Sequence, residues 1–454
     1  MDTQRTKIVA TIGPASASPT VVSAMISAGM DVARINFSHG TWESNGALMT
    51  QVRTAAREAD APVAVLMDLQ GPRVRTVTDA EVALTPGAAV GITAPENQPS
   101  LEIPSFALDS ADTVAALSVG DRILVEDGRY RLTVHDVRED GVVIAVANTA
   151  GRIASRKGVN LPDTDVPLPA LTKKDKEDLD FGIRAGVEYV ALSFVRRGED
   201  IELLRQEIDS RREPGSPPVR IIAKIERPEA LEAIDEIAAH ADGIMVARGD
   251  LATEIGAASV VVAQKRIISS ARAHAIPVIV ATQMLESMTH NPRPTRAEIS
   301  DVTNAVIDHT DAVMLSGETA TGDYPVEAVT MMRDIIHATE LSPYDDMELL
   351  RDAEGVEGID AAYTICQTAR DRGASVIAIA TRDGVLPTLV SHFRPSARIL
   401  VVTSDDAVRN ALALVWGVEA YYDKNAEHYD AATLRRVVQH KTSAQEIVVI
   451  PMER

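Results

Sequence analysis

The chain has 454 residues, 45% of them hydrophobic and 24% charged, and its formal net charge is −21 at pH 7. This composition indicates a globular protein of about two to four domains, and the acidic balance argues against binding to nucleic acid or to an anionic membrane surface. No apolar run approaches the roughly 18–20 residues that span a bilayer. The single cysteine excludes an intramolecular disulfide, so we expect a cytoplasmic protein.

Short apolar runs rich in β-branched residues alternate with amphipathic segments up to about residue 340, which predicts βα units and a parallel sheet. The runs lie at residues 7–13, 32–38, 63–69, 189–195, 220–226, 243–250, 277–283 and 312–318. Eight such units predict a (β/α)8 TIM barrel, whose functional side chains lie at the C-terminal ends of the strands.

The regular spacing is interrupted once, after the third run. Residues 76–162 contain short strand-like runs punctuated by Gly and Pro, and they predict an inserted small β-barrel lid domain. The catalytic barrel is then expected to comprise residues 1–75 and 163–339. Residues 340–454 begin a new series of strands and helices, which predicts a C-terminal open α/β domain with a regulatory or oligomerisation role.

Polar residues stand where most of the predicted barrel strands end. Any one of them alone is more commonly a helix N-cap or a solvated turn residue. Because the strand ends of a barrel converge on one face, together they predict a functional site. In chain order they are Arg34, Asn36, Ser38, His39, Asp68, Arg73, Arg75, Lys224, Glu226, Arg248, Gly249, Asp250, Thr282, Gln283, Ser316 and Glu318.

The residue types at these ends indicate phosphoryl chemistry. Glu226 and Asp250 are hard oxygen ligands of the kind that Mg²⁺ takes together with water and substrate oxygens, although salt bridges to neighbouring cations are an equally common use of such carboxylates. Lys224 stands out in a chain with 9 lysines and 36 arginines. Together with Arg34 and Arg75 it could clamp a phosphoryl group.

Several stretches closely resemble the pyruvate kinase family: "TKIVATIGPAS", "GMDVARINFSHG", "KGVNLP", "AKIE", "DGIMVARGDL" and "ATQMLESMTHNPRPTRAEISDVTNAVIDHTDAVMLSGETATGDYPVEAV". The resemblance covers nearly all of residues 4–340 in order, whereas the C-terminal domain matches only loosely. It implies transfer of the phosphoryl group of phosphoenolpyruvate to ADP, which gives pyruvate and ATP in the last step of glycolysis.

The resemblance also implies roles for individual residues. Those matching Lys224 and Arg34 stabilise and contact the phosphoryl group, and those matching Glu226 and Asp250 hold Mg²⁺ or Mn²⁺. The substrate carboxylate site is expected from Ala247, Arg248, Gly249, Asp250 and Thr282. Protonation of the enolate is expected near Thr282 and Ser316. Nucleotide contacts are expected from Pro14, His39, Arg75, Asp127 and Lys157 or Arg156. The family further implies a homotetramer.

One departure from the family concerns potassium. Asn36, Ser38, Asp68 and the carbonyl of Leu69 match the family's potassium site, but Leu69 lacks the hydroxyl of the usual residue. Arg73 replaces an acid that accompanies potassium dependence in the family. Since a guanidinium there could supply the positive charge, we expect K⁺ dependence to be weak or absent.

A second departure concerns regulation. Family members activated by fructose 1,6-bisphosphate carry a phosphate-binding loop in the C-terminal domain, where this chain reads "TRDG" (381–384), and a later Gly-rich loop that the chain lacks. We therefore expect no activation by fructose 1,6-bisphosphate.

Two other functions are compatible with the same fold. One is a different Mg²⁺-dependent barrel enzyme acting on phosphoenolpyruvate or pyruvate, for which a nucleotide-binding lid is unnecessary. The other is an inactive metabolite sensor, which would be expected to have lost Lys224, Glu226 or Asp250.

Overall fold

The computed structural model describes residues 4–97, 101–345, 353, 355–442 and 444–452. The first part of the chain forms β1 (Lys7–Thr11), α1 (Pro19–Ala28), β2 (Val32–Asn36), α2 (Trp42–Glu58) and β3 (Ala64–Asp68). The inserted part forms β4 (Val74–Val77), β5 (Val82–Leu84), β6 (Ala89–Thr93), β7 (Ser105–Leu108), α3 (Ala111–Ala116), β8 (Arg122–Val125), β9 (Tyr130–Val137), β10 (Val143–Ala147), β11 (Gly151–Ile153) and β12 (Gly158–Asn160).

The chain then returns to βα units. These are α4 (Lys173–Arg184), β13 (Tyr189–Leu192), α5 (Gly198–Asp209), β14 (Arg220–Ile225), α6 (Pro228–Glu232), α7 (Ile234–His240), β15 (Gly243–Ala247), α8 (Arg248–Ile255), α9 (Val260–Ala273), β16 (Val278–Ala281), α10 (Arg296–Ile307), β17 (Ala312–Leu315), α11 (Gly317–Ala320) and α12 (Pro325–Glu340). Two short 3-10 helices, Ala257–Ser259 and Glu286–Thr289, lie in this part.

Eight parallel strands close into a barrel in the order β1-β17-β16-β15-β14-β13-β3-β2. The strands are buried nearly throughout, as expected where helices cover one face and packed side chains fill the other. Between β3 and β13 the inserted domain closes into a second barrel in the order β10-β6-β7-β4-β12-β8-β9. Both features confirm the predicted fold class.

The C-terminal domain is an open sheet of parallel strands in the order β20-β19-β18-β21 with helices around it, as predicted. Its elements are α13 (Ile359–Asp371), β18 (Val376–Ala380), α14 (Val385–His392), β19 (Arg398–Thr403), α15 (Asp406–Ala411), β20 (Val418–Tyr422), α16 (Ala431–Thr442) and β21 (Ile447–Ile450), with 3-10 helices at Leu412–Leu414 and Ala426–His428.

The C-terminal domain seals the floor of the barrel, at the ends of the strands opposite the predicted site. Ala411, Ala413 and Leu414 belong to the same buried cluster as barrel-lining side chains such as Leu66. The hydroxyl of Tyr189 donates to the carbonyl oxygen of Ala411 at 2.7 Å. The two domains therefore share one hydrophobic core at this floor. Within the described residues no helix is long and apolar enough to cross a bilayer.

Candidate active site

The predicted site residues meet at the mouth of the barrel, beneath the lid. Two clefts open between the lid and the strand ends, and Arg73 and Asp127 line both. One, of about 600 Å³, runs along α8 and includes Gly249, Asp250 and Gln283. The other, of about 540 Å³, is lined by Ser38, His39, Gln70, Arg73, Arg75, Glu126, Asp127, Arg129, Arg156, Lys157 and Gly158.

Lys224 lies at the centre of the mouth because it is next to last in β14, where side chains alternate between the barrel interior and the helices. Its ammonium nitrogen is 2.9 Å from Glu226, 3.3 Å from Asp68 and 2.7 Å from the hydroxyl of Ser193. Burial disfavours the charged form, but Asp68 and Glu226 outweigh burial and raise the pKa of Lys224 to about 12. The ammonium is therefore a fixed, fully charged group.

Glu226 follows β14 and is 1% exposed. One carboxylate oxygen pairs with Lys224, and the other accepts the backbone N–H of Phe194 at 2.7 Å. Phe194 adopts a left-handed backbone with φ 58°, a strained conformation for a residue with a side chain. Burial raises the pKa of Glu226 to about 7 against the opposing effect of Lys224, and the like charge of Asp250 adds to the rise.

Arg34 comes from β2 and is held towards the same point. Its Nε donates to Asp68 at 2.7 Å and one terminal nitrogen donates to the hydroxyl of Thr11 at 2.9 Å. Burial alone would raise the pKa of Asp68, but Lys224 and Arg34 hold it below its usual value. Asp68 is thus a buried carboxylate that fixes the two cations side by side.

The start of α8 forms the next wall of the mouth. Ala247 ends β15, and the backbone N–H of Gly249 donates to the hydroxyl oxygen of Thr282 at 2.8 Å. Thr282 has φ 67°, so the chain turns sharply after β16. The guanidinium of Arg248 points into this turn, where it donates to the carbonyl of Thr282 at 2.7 Å and to Asp301 at 2.8 Å. Arg248 therefore supports the turn through its side chain.

Ser316 follows β17 and carries an unusual feature. Its hydroxyl oxygen is buried and has no hydrogen-bond partner among the described residues. Its backbone N–H donates at 2.7 Å to the buried Glu318, which also accepts from the N–H of Leu285 at 3.0 Å. The fold thus fixes the backbone of Ser316 and leaves its hydroxyl available.

Glu226 and Asp250 suit a divalent cation. Both are carboxylates, and Asp250 contributes to the raised pKa of Glu226, a repulsion that a cation between them would relieve. No cluster of three or more His, Cys, Asp or Glu side chains fit for a metal occurs in the described part of the chain. Two carboxylates with water and substrate oxygens are the usual Mg²⁺ environment in phosphoryl-transfer sites.

The oxygens expected to bind potassium are mostly engaged within the protein. Both Asp68 oxygens face side-chain cations, and the carbonyl of Leu69 accepts from Ser193 at 2.8 Å. The side-chain oxygen of Asn36 accepts from the backbone N–H of Ser38 at 3.0 Å. Each of these oxygens therefore already has a hydrogen-bond donor or a side-chain cation beside it.

The residues expected to contact nucleotide are brought together in part. His39, Arg75, Asp127, Arg156 and Lys157 all line the second cleft, with Lys157 paired to Glu126. Arg75 donates to the carbonyl of Arg156 at 3.1 Å. Pro14 is exposed in the turn after β1 and does not line either cleft.

Ser193 and Phe194 are among the residues in contact with this centre that were missed in the sequence, as is Thr11 beside Arg34. Ser193 binds both Lys224 and Leu69, and Phe194 supplies the N–H to Glu226. The run "YVALSFV" (189–195) places Ser193 and Phe194 directly after the fourth barrel strand, β13, next to the strand that carries Lys224. The position of Ser193 at the end of a predicted strand was the available signal.

Comparison with family models finds two matches in chain order. Residues 3–329 match the model described as "Pyruvate kinase, barrel domain", and residues 360–450 match "Pyruvate kinase, alpha/beta domain". The first match alone covers more than half of the chain.

Curated relatives and a solved structure agree with these models. A pyruvate kinase of Geobacillus stearothermophilus is 43% identical over 94% of this chain and 72% of its own length. One of Clostridium acetobutylicum is 40% identical over 91% of this chain and 88% of its own length. The crystal structure of a pyruvate kinase from Cryptosporidium parvum superimposes with a TM-score of 0.92, at 33% identity, over 98% of this chain and 94% of that one.

Proposed function

Because the chain belongs to the pyruvate kinase family, we propose that its barrel mouth transfers the phosphoryl group of phosphoenolpyruvate to ADP through Lys224, Arg34 and a divalent cation at Glu226 and Asp250. The observation that carries these roles is the buried ammonium of Lys224. It is held between Asp68 and Glu226 at the point where the strand ends converge under the lid.

In the transfer step, the bond between phosphorus and the enol oxygen breaks and a bond to a terminal oxygen of ADP forms. Negative charge develops on the moving phosphoryl oxygens and on the departing enolate. Lys224 and Arg34 already point to one place and need no reorganisation to stabilise that charge. The divalent cation adds Lewis-acid stabilisation when bound.

The substrate carboxylate is expected at the N-terminus of α8. The backbone N–H groups of Arg248 and Asp250, in the first turn, stand at the positive end of the helix dipole. The bond from Gly249 to Thr282 fixes this segment against β16. Because the Arg248 side chain is buried in the turn below, Ala247, Gly249 and Asp250 are expected to contact the substrate.

After transfer the enolate must take a proton on carbon. Ser316 has a buried hydroxyl without a partner in the described structure, and the hydroxyl oxygen of Thr282 accepts one bond while its own proton stays free. Both can order a water that delivers the proton. The proton then moves from water to the methylene carbon, pyruvate forms, and the hydroxide left behind takes up a proton from solvent.

The nucleotide is expected in the second cleft, between His39 on the barrel and Lys157 on the lid. This cleft has five Arg or Lys side chains against two carboxylates, so it attracts an anion within a protein of net charge −21. A barrel enzyme that uses phosphoenolpyruvate without ADP would not need such a basic cleft beneath a lid, so this cleft favours the ADP-dependent reaction.

The direct test is an assay coupled to lactate dehydrogenase, with phosphoenolpyruvate and ADP, on wild type and Lys224→Met. Loss of a transition-state cation in phosphoryl transfer typically costs about 10³–10⁵-fold in kcat, and we expect a fall of that order. Lys265→Met, at an exposed ion pair with Asp308, is the matched control and should keep wild-type activity. Equal rates for Lys224→Met and wild type would refute the assignment, as would pyruvate formation without ADP.

Potassium is expected to be dispensable, or nearly so. The Asp68 oxygens are already paired with Lys224 and Arg34, and Arg73 places a further positive charge in the cleft beside Ser38. Activity in potassium-free tetramethylammonium buffer should stay close to that in potassium. A near-total loss there, restored by potassium, would contradict this expectation.

Fructose 1,6-bisphosphate is not expected to activate the protein. The N–H of Val385 at the start of α14 donates to the carboxylate of Asp383 at 2.9 Å, and Gly384 donates to Thr381 at 3.0 Å. An incoming phosphate would have to displace that carboxylate. Saturation curves for phosphoenolpyruvate should coincide with and without the sugar bisphosphate, and a large shift to lower concentration would overturn this view.

A homotetramer remains the expected assembly. The first turn of α9 exposes Val261 by 54% and Val262 by 72%, an apolar pair that a subunit contact would cover. Light scattering coupled to size exclusion should give about four times the mass of 48.6 kDa. A monomer at micromolar concentration would rule the tetramer out.

A further inference from the structure

Arg73 lies between two carboxylates that belong to different domains. Its guanidinium is 2.9 Å from Asp127, which is on the lid, and 3.7 Å from Asp250, which is in the first turn of α8 of the barrel. Arg73 itself is in the connection between β3 and β4, where the chain crosses from barrel to lid. One side chain therefore contacts the hinge, the lid and the proposed cation ligand.

The guanidinium of Arg73 packs against Gly158, in the segment where the chain returns from the lid to the barrel. A Cβ atom added at Gly158 would lie 2.7 Å from Nε and 3.0 Å from Cζ of Arg73, so only glycine leaves room for this position. The carbonyl oxygen of Gly158 accepts the N–H of Glu126 at 3.1 Å. This bond ties β12 to the turn that presents Asp127, and Arg73 packs beside it.

Asp127 lies at the exposed edge of the lid and is close to α8 of the barrel. It is in a turn with φ 53°, its side chain is 71% exposed, and its carbonyl oxygen is 3.4 Å from the hydroxyl of Thr253 on α8. Deeper in the joint, Asn160 of β12 donates to the buried Glu254 at 2.8 Å. Asn160 thus joins the base of the lid to α8 through a buried hydrogen bond. Arg73 and Asp127 make the contacts between the outer edge of the lid and α8.

We propose that Arg73 is a positioning residue that draws the lid edge carrying Asp127 towards Asp250, and that it competes with a divalent cation for the carboxylate of Asp250. The inference rests on the proposed function in taking Asp250 as a cation ligand. It predicts that one substitution of Arg73 weakens the contact of the lid with the barrel and strengthens the binding of a divalent cation. Loss of the guanidinium loosens the lid, and the same loss strengthens cation binding because a positive charge near the ligand is removed.

The experiment compares wild type with Arg73→Gln in two measurements that need no turnover. Hydrogen exchange of the metal-free protein should be about three- to tenfold faster at residues 122–131 in the variant, the size expected for two partly exposed ion pairs. Titration of Mn²⁺ alone, followed by electron paramagnetic resonance, should show a several-fold lower Kd. A general loss of stability would also speed exchange, but it would not tighten Mn²⁺ binding.

Three further variants make the test specific. Arg73→Lys keeps the charge and should restore slow exchange and the wild-type Kd for Mn²⁺. Gly158→Ala keeps the charge but displaces the guanidinium, so it should speed exchange as Arg73→Gln does. Arg152→Gln removes a lid arginine whose ion pair is with Glu81, and should change neither quantity.

Unchanged exchange in Arg73→Gln, or weaker Mn²⁺ binding, would overturn the proposal. Failure of the proposed function would look different, because wild type would then make no pyruvate from phosphoenolpyruvate and ADP while the exchange and Mn²⁺ results could stand.

Discussion

Ser193 should matter for catalysis through its contact with Lys224. Its hydroxyl accepts from the ammonium of Lys224 at 2.7 Å and donates to the carbonyl of Leu69 at 2.8 Å. Ser193→Ala would leave Lys224 paired with Asp68 and Glu226, so the charge would remain. What is lost is the hydrogen bond that sets the direction of the ammonium.

A hydrogen bond to a charged group contributes about 1.5–3 kcal/mol. If that energy is realised only when the ammonium faces the moving phosphoryl group, kcat falls by about 10- to 150-fold. The coupled assay with phosphoenolpyruvate and ADP measures kcat and KM separately, and we expect KM for phosphoenolpyruvate to change much less than kcat.

The control is a buried hydroxyl far from Lys224. Thr310 precedes β17 at the floor of the barrel and donates to the carbonyl of Val278 at 2.8 Å. Thr310→Val should lower the free energy of unfolding by about as much as Ser193→Ala does, and it should leave kcat unchanged. If the kcat of Ser193→Ala stays within twofold of wild type, the positioning role of Ser193 is wrong. It is also wrong if the kcat of Thr310→Val falls as far as that of Ser193→Ala.

Two further predictions concern the rest of the molecule. Tyr189→Phe would leave the buried carbonyl of Ala411 without its donor, so the free energy of unfolding should fall by about 1–2 kcal/mol; an unchanged urea midpoint would show that this bond contributes nothing. Burial raises the pKa of the Cys366 thiol to about 12, so at pH 8 only roughly 1 molecule in 10,000 carries the thiolate. Iodoacetamide should therefore modify Cys366 only as the protein unfolds, and full modification of folded protein within minutes at pH 8 would contradict the burial.

Much of the architecture could be read from the sequence because the eight barrel runs are apolar on both faces and most of them end in polar residues. Lys224 was recognisable for two reasons, the scarcity of lysine and its place beside Glu226 at a strand end. Ser193 was not, because a serine that ends a strand gives no sign of its partner. The partner became visible only through the register of β13 and β14, which pairs Leu192 with Ala223 and so sets Ser193 beside Lys224.

The direction of Arg73 was also beyond the sequence. The resemblance to the family suggested a charge that stands in for potassium, and that dependence is still a prediction. The guanidinium in fact contacts Asp127 and Asp250. The reason lies in Gly158, 85 positions later in the chain, whose missing side chain leaves the space that the guanidinium fills. Such a fit between distant segments has no local pattern.

The sealed floor of the barrel has a consequence for the order in which the protein is made. The last of the eight barrel strands ends at Leu315. Leu414, which covers the apolar floor around Leu66, is synthesised only later. At about 5–20 residues per second, a ribosome needs about 5–20 s to make the intervening segment. During that interval the nascent barrel carries an uncovered apolar surface, and exposed apolar surface of this kind is prone to aggregation and is bound by chaperones.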